Sequence, residues 1–152
     1  MQAFWTQDLV HFESAVAIPN YQTYNVEAAK VPQSPAGMSP HKYVMILEPF
    51  GFMINNAQDG NLTRGWVHAN ATAPKGAPAG GPSMRFSDGY YYVITGGKTV
   101  TLYRSPDLRT WVASPHNPMI HPTSADAKVR NPTGVDCTTT LLLLHRPLFT
   151  AD

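Results

Sequence analysis

Carboxylates at a regular spacing are the first residues of this sequence whose chemical type could support catalysis. Asp8, Asp59 and Asp107 lie 51 and 48 residues apart, and an aromatic residue follows each of them within a short polar stretch. A positioned carboxylate can serve as a general acid or base. At the head of a turn, it can instead accept backbone N–H bonds and hold the chain while the aromatic ring packs nearby. We predict this structural role for all three aspartates and assign them no catalytic step.

Glu48 and Arg85 are candidates for a polar site. Four apolar residues precede Glu48, so this carboxylate ends a predicted strand and could act as a carboxyl partner. The alternative is a solvated strand end, or an ion pair with Lys42. Arg85 lies in another predicted strand, where it could bind a substrate hydroxyl or carboxylate, or pair with Glu27. For Glu27 itself, a solvated strand position and a ligand-binding position both stay open.

Other reactive side chains show no site pattern. The histidines lack metal-ligand spacing, and no metal or other cofactor is predicted. The single cysteine, Cys137, excludes an internal disulfide, and its neighbours include no basic residue that would activate the thiol. The histidines are His11, His41, His68, His116, His121 and His145.

The elements that must position these residues follow a repeat. Tyr43 stands sixteen residues before Asp59, and Tyr91 stands sixteen residues before Asp107. Each unit of about 50 residues contains an aromatic and β-branched strand, a second strand, the aspartate turn, and a tryptophan that opens a short outer strand. Such a unit is typical of a β-propeller, in which each repeat is one four-stranded blade. We therefore predict an all-β chain with two to three blades of a larger propeller.

The organisation along the chain follows from this repeat. We assign residues 1–18 to the end of one blade, 21–70 to a full blade and 80–122 to another. Residues 1–122 are thus predicted to be a partial propeller, and 123–152 a tail of uncertain structure. Because propellers typically close with about four to eight blades, we expect a part of a ring. Its free strand edges would favour self-association.

Composition excludes several classes of partner. The formal net charge is +1, and the eleven lysines and arginines are scattered rather than collected in a stripe, so no nucleic-acid partner is predicted. The sequence contains no run of 18 apolar residues, and no membrane-spanning segment is predicted. Two triplets, Asn61-Leu62-Thr63 and Asn70-Ala71-Thr72, fit the N-glycosylation pattern and are compatible with an extracellular or secretory location.

Two stretches carry a family resemblance. Ser105 to Trp111 is similar to a Ser-x-Asp-Leu-x-x-Trp turn, and Gly89 to Val93 is similar to a Gly-Tyr-Tyr-Tyr-Leu strand. In these motifs the chain resembles the five-bladed propeller glycoside hydrolases of the family 43 type and their relatives, over roughly residues 3 to 122. The resemblance implies a five-bladed propeller, incomplete in this chain, that binds or hydrolyses an oligosaccharide or polysaccharide.

The resemblance also implies where a site would lie. Such enzymes use an aspartate base, a second aspartate that orients the substrate and a glutamate acid, each on an innermost strand that faces the central channel. The stretch Tyr24 to Val31 resembles one of these strands and puts Glu27 at the aspartate position. Gly80 stands where the glutamate acid is found. The resemblance therefore implies a chain that is not catalytically complete by itself.

The sequence leaves one predicted site and three functions open. The catalytic candidates are Glu27 and Glu48, and the substrate-binding candidates are Asn25 and Arg85. The first function is a glycosidase-like propeller that hydrolyses O-glycosyl bonds. The second is a non-catalytic carbohydrate-binding propeller, favoured by Gly80 and by tyrosine and tryptophan rings that can stack on sugars. The third is a protein-interaction module of stacked blades.

Overall fold

Ten β-strands and no helix make up the described part of the chain. The structure is a computed structural model that describes residues 2–5, 8–17, 26–57, 59, 62, 64–78, 80–96 and 99–119. Its strands are β1 (Gln2–Trp5), β2 (Glu13–Ala17), β3 (Val26–Lys30), β4 (Tyr43–Leu47), β5 (Gly51–Asn55), β6 (Trp66–His68), β7 (Gly80–Ser87), β8 (Tyr90–Gly96), β9 (Thr101–Ser105) and β10 (Val112–Ala113). The prediction of an all-β fold is confirmed for these residues.

The strands form one hairpin and two four-stranded antiparallel sheets. β1 pairs with β2 in the hairpin. The first sheet has the order β3-β4-β5-β6, and the second sheet has the order β7-β8-β9-β10. In both sheets, neighbours in space are therefore neighbours in the chain. This order is expected where short connections join antiparallel strands.

The two sheets repeat the same strand register. Tyr43 lies opposite Asn55 in the first sheet, and Tyr91 lies opposite Ser105 in the second. Asn55 and Ser105 are the last residues of β5 and β9. Tyr43 and Tyr91 therefore occupy equivalent places on the second strands of their sheets, as the repeat predicts.

Asp59 does not occupy the place of Asp107. Leu47 and Gly51, the last paired residues of β4 and β5, enclose three residues. The corresponding pair of β8 and β9, Thr95 and Thr101, encloses five. As a result, Asp107 lies two residues after its strand and Asp59 lies four residues after its own. The equal sixteen-residue spacing therefore does not put the two aspartates at equivalent places, because the two strand connections differ in length by two residues.

Residues from both sheets form a core between them. Alternate residues of β4 and β5 point into this core, since successive side chains of a strand face opposite sides. The second sheet adds Met84 from β7, Tyr91 and Val93 from β8, and Leu108 from the turn after β9. The first sheet and its connections contribute Ala29, Val31, Val44, Ile46, Phe52 and Ile54.

The two tryptophans lie on equivalent faces of their sheets. Trp111 packs on the core between the sheets, and its ring centroid lies 5.8 Å from that of Phe52. Trp66 packs on the opposite face of the first sheet, on a buried cluster that includes Met45. Met45 and Val93 hold the same register position, two residues after the equivalent tyrosines. Trp66 therefore covers the face of the first sheet that carries Met45, and Trp111 covers the face of the second sheet that carries Val93. Because these faces are equivalent, the two sheets stack in the same orientation.

Asp8 and Asp107 build the same turn. In each turn, one carboxylate oxygen accepts hydrogen bonds from the backbone N–H groups two and three residues further on, at 2.7 to 2.9 Å. The residue that follows the aspartate, Leu9 or Leu108, has a φ of 61° in both turns. The prediction that these two aspartates accept backbone N–H bonds at the head of a turn is confirmed.

The leucines of these two turns differ sharply in burial. Leu108 is 0% exposed and belongs to the core between the sheets, whereas Leu9 is 80% exposed. Val10 and Phe12, which neighbour Leu9, are also exposed. The same turn therefore inserts its leucine against a sheet in one place and presents it to solvent in the other.

We expect Asp107→Ala to lower the free energy of unfolding at neutral pH by about 1–2 kcal/mol, because the N–H groups of Arg109 and Thr110 lose their acceptor. Burial by itself raises the pKa of the Asp107 carboxyl, but hydrogen bonds from Thr110, Arg109 and Ser105 outweigh burial and lower the pKa below its ordinary value of 3.8. A carboxyl whose pKa is lowered by folding stabilises the fold above its unfolded pKa. This stabilisation is lost as the pH falls through the folded pKa.

Urea unfolding of the parent chain and of Asp107→Ala at neutral and acid pH measures this effect. The difference between their free energies of unfolding should shrink below about pH 4. Asp59→Ala is the matched control. Asp59 pairs with Arg64 at the surface, and exposed pairs contribute only about 0–1 kcal/mol. An equal loss in the two variants would contradict the role of Asp107 in its turn.

Candidate functional site

The first strands of the two sheets, β3 and β7, lie side by side and enclose an open cleft of ≈ 290 Å³. Both strands are at the edges of their described sheets. The cleft brings Glu27 and Arg85, both predicted as site residues, to one place. Its lining consists of Glu27, Ala28, Ala29, Lys30, Met84, Arg85 and Phe86.

Alternation along the two strands divides this lining into a floor and two rims. Ala29 and Met84 are buried in the core, and Phe86 packs against the same core, so these three form an apolar floor. Lys30 and Arg85 alternate with the floor residues along β3 and β7, and both are exposed. One cation therefore stands at each rim of the cleft.

Glu27 is a half-buried carboxylate at the same cleft. It lies opposite Ile46 and on the same face of β3 as Ala29, so it points toward the second sheet. Arg85 lies opposite Tyr92 and leaves β7 on the other face. Within the described residues, Glu27 and Arg85 do not form the ion pair that the sequence allowed, because they leave their strands on different faces.

Glu48 lies outside the lining of the cleft. Its Oε2 accepts a hydrogen bond from the N–H of Gly81 at 3.3 Å, so the end of β4 is linked to the beginning of β7. Gly80, the preceding residue, pairs with Gly96 at the first position of β7. The Glu48 carboxylate is thus held close to Gly80 at the beginning of β7.

Several predicted residues lie outside the described part of the chain. Asn25, the second substrate-binding candidate, is one of them, and Cys137 is another. The tail 123–152 also lies there, so these three predictions stay untested. Of the two glycosylation triplets, Asn70-Ala71-Thr72 is fully described, and its asparagine is exposed.

A buried polar network that no sequence pattern indicates joins the segment before β4 to β8. His41 Nε2 lies 2.8 Å from the hydroxyl of Tyr91, and His41 Nδ1 lies 2.7 Å from the carbonyl oxygen of Ser39. A carbonyl only accepts, so Nδ1 carries a proton and donates it to Ser39, and the Tyr91 hydroxyl also lies 3.6 Å from Met38 Sδ. Both residues are buried, and burial raises the pKa of the Tyr91 phenol far above its ordinary value. This network ties the two sheets together.

No three His, Cys, Asp or Glu side chains come together as a possible metal site within the residues that the structure describes. The same residues contain no helix that is long and apolar enough to cross a membrane.

Comparisons with known proteins find no counterpart. A scan against protein-family models gives no match, and searches of curated proteins and of solved structures give none either. The functional interpretation therefore depends on the residues and geometry of the cleft.

Proposed function

We propose that the two sheets are consecutive blades of a β-propeller and that the cleft between their first strands binds a glycan. The equivalent positions of Tyr43 and Tyr91, and of Trp66 and Trp111, support the repeat. In a propeller, four-stranded blades surround a central channel. β3 and β7, as first strands of stacked sheets, would then line this channel.

The observation that carries the binding proposal is the combination of an apolar floor with a half-buried carboxylate in one open cleft. A sugar ring has an apolar C–H face and a rim of hydroxyl groups. Phe86 can pack against the face, and Glu27 can accept hydrogen bonds from hydroxyls. A volume of ≈ 290 Å³ lies just below the usual range for small-molecule sites, about 300–1,000 Å³. This size suits a short part of a glycan chain.

Binding is favoured over hydrolysis because the described lining supplies one carboxyl group. Glycoside hydrolysis requires two, about 5–5.5 Å apart for retention or 6.5–9.5 Å apart for inversion. Glu27 is the carboxylate of the described lining, and Gly80 contributes none. Glycosidase activity is a second candidate, because Glu48 is held beside Gly80 by its hydrogen bond to Gly81.

We expect the purified chain to bind at least one oligosaccharide of a glycan panel without hydrolysing aryl glycosides. Glu27→Gln should weaken binding by about 10-fold or more, since a hydrogen bond to a charged group contributes about 1.5–3 kcal/mol. Isothermal titration calorimetry measures the affinity, and release of the aryl group measures turnover. Asp59→Asn, a change in an exposed turn, is the control and should leave both unchanged.

Two results would change this conclusion. Absence of binding to every glycan by the folded chain would contradict the proposed function. Hydrolysis that is abolished by Glu48→Gln would instead establish the glycosidase, with Glu48 in the role of the acid.

A further inference from the structure

Three charged side chains surround the cleft, and two of them are cations. Lys30 and Arg85 stand at opposite rims, and Glu27 is the acidic residue of the described lining. Within the described residues, no side-chain hydrogen bond or ion pair engages any of the three. The cleft therefore offers positive charge on both sides of an apolar floor.

Arg85 differs from the other described arginines in having no partner of its own. The other three are engaged: Arg64 pairs with Asp59, Arg104 lies 4.8 Å from the ring centroid of Tyr90, and Arg109 Nε donates to the Asn70 carbonyl oxygen at 2.6 Å. A guanidinium presents a rigid set of N–H donors that matches a carboxylate. Arg85 keeps this set free at the rim of the cleft.

We propose that the cleft selects an acidic glycan, one that contains uronate residues. This inference rests on the proposed function and names its ligand class. The carboxylate of a uronate can bind Arg85 or Lys30, its hydroxyls can donate to Glu27, and its apolar ring face can pack on Phe86 at the floor of the cleft.

The position of Glu27 also orients such a ligand. Its carboxylate faces the second sheet from the same side of β3 as the floor residue Ala29, whereas the cations stand at the rims. Like charges repel, so the ligand carboxylates must point to the rims and the hydroxyls to Glu27. A neutral glycan fills the floor but leaves both cations unpaired.

Matched ligands test this inference directly. Trigalacturonate and a glucuronate-bearing xylo-oligosaccharide are titrated into the full chain by calorimetry, each beside its methyl ester. The acid and its ester have the same sugar chain and differ in charge. We expect at least one acid to bind about 10-fold or more tightly than its ester, and this difference should shrink in 0.5 M salt.

Variants distinguish an effect of Arg85 from an effect of positive charge elsewhere in the chain. Arg85→Gln should weaken binding of the acid about 10-fold or more and leave the affinity for the ester unchanged. The affinity of Arg85→Lys for the acid should lie between that of Arg85→Gln and that of the parent chain. Arg104→Gln is the control, because Arg104 stacks on Tyr90 and does not line the cleft. Circular dichroism and thermal melting establish that each variant is folded.

The outcomes distinguish this inference from the proposed function. Equal affinities for the acid and its ester, or binding of neutral glycans alone, would contradict selection of an acidic glycan. Either result would leave the proposal of glycan binding intact. An equal loss in Arg85→Gln and Arg104→Gln also overturns the role of Arg85. Binding of no acidic, esterified or neutral glycan by the folded chain overturns both.

Discussion

Replacing Leu108 with alanine is expected to lower the free energy of unfolding by about 2–5 kcal/mol, the usual cost of removing a buried leucine side chain. Leu108 is completely buried in the core between the sheets, so the variant would leave a cavity there. Urea unfolding followed by tryptophan fluorescence measures the loss, and Trp111 is a suitable reporter because it packs on the same core.

Leu9→Ala is a closely matched control for this experiment. Leu9 follows Asp8 as Leu108 follows Asp107, and the two leucines share a φ of 61°. Any strain from the left-handed backbone is therefore common to both sites. Leu9 is 80% exposed, and we expect its replacement to change stability by less than about 0.5 kcal/mol. Similar losses at the two positions would contradict the packing of Leu108 between the sheets.

Tyr91→Phe is expected to lower the free energy of unfolding by about 1–3 kcal/mol at neutral pH. The variant keeps the buried ring but removes the hydroxyl that forms a hydrogen bond with His41 Nε2, and His41 is itself buried. A polar atom left unsatisfied in the interior carries the full cost of its desolvation, whether it is a donor or an acceptor. Urea unfolding at neutral pH provides the measurement.

Tyr43→Phe serves as the control, since Tyr43 holds the equivalent register position in the first sheet and is only half-buried. No hydrogen bond of its hydroxyl is present among the described residues, so the same atom is removed without breaking a network. We expect a change of less than about 0.5 kcal/mol. Equal effects of the two variants would show that the His41 contact contributes nothing to stability.

The strands and turns were largely predictable because their signals are local. Aromatic and β-branched runs around Tyr43 and Tyr91 indicate strands, and both runs form one. The turn at Asp107 follows from a carboxylate near its own backbone N–H groups. Asp59 was misplaced because strand register depends on the length of the preceding connection, and a difference of two residues leaves no mark in the composition.

The candidate site was predictable in part. Glu27 and Arg85 were both expected to be site residues on predicted strands, and both line the cleft. Their orientation depends on how each strand pairs with the next, and β7 contains an irregular pairing between Gly80 and Ser83 that a sequence pattern does not reveal. Lys30 was not singled out, because an isolated lysine usually indicates a solvated position.

The His41 network illustrates a different limit. His41 and Tyr91 are fifty residues apart, and they meet only because the two sheets stack. No local pattern separates His41 from the other histidines of the chain. Its partner is determined by tertiary packing, which a single sequence does not specify.

The turn that carries Leu108 also has a consequence for symmetry. Its contact joins two different surfaces, a turn of one sheet and the face of the preceding sheet, and is therefore heterologous rather than self-complementary. If a second molecule covered Leu9 with the face of one of its sheets, the Leu9 of that second molecule would stay exposed. Association through this contact cannot stop at a two-fold dimer: it continues until a ring closes or an open fibre forms.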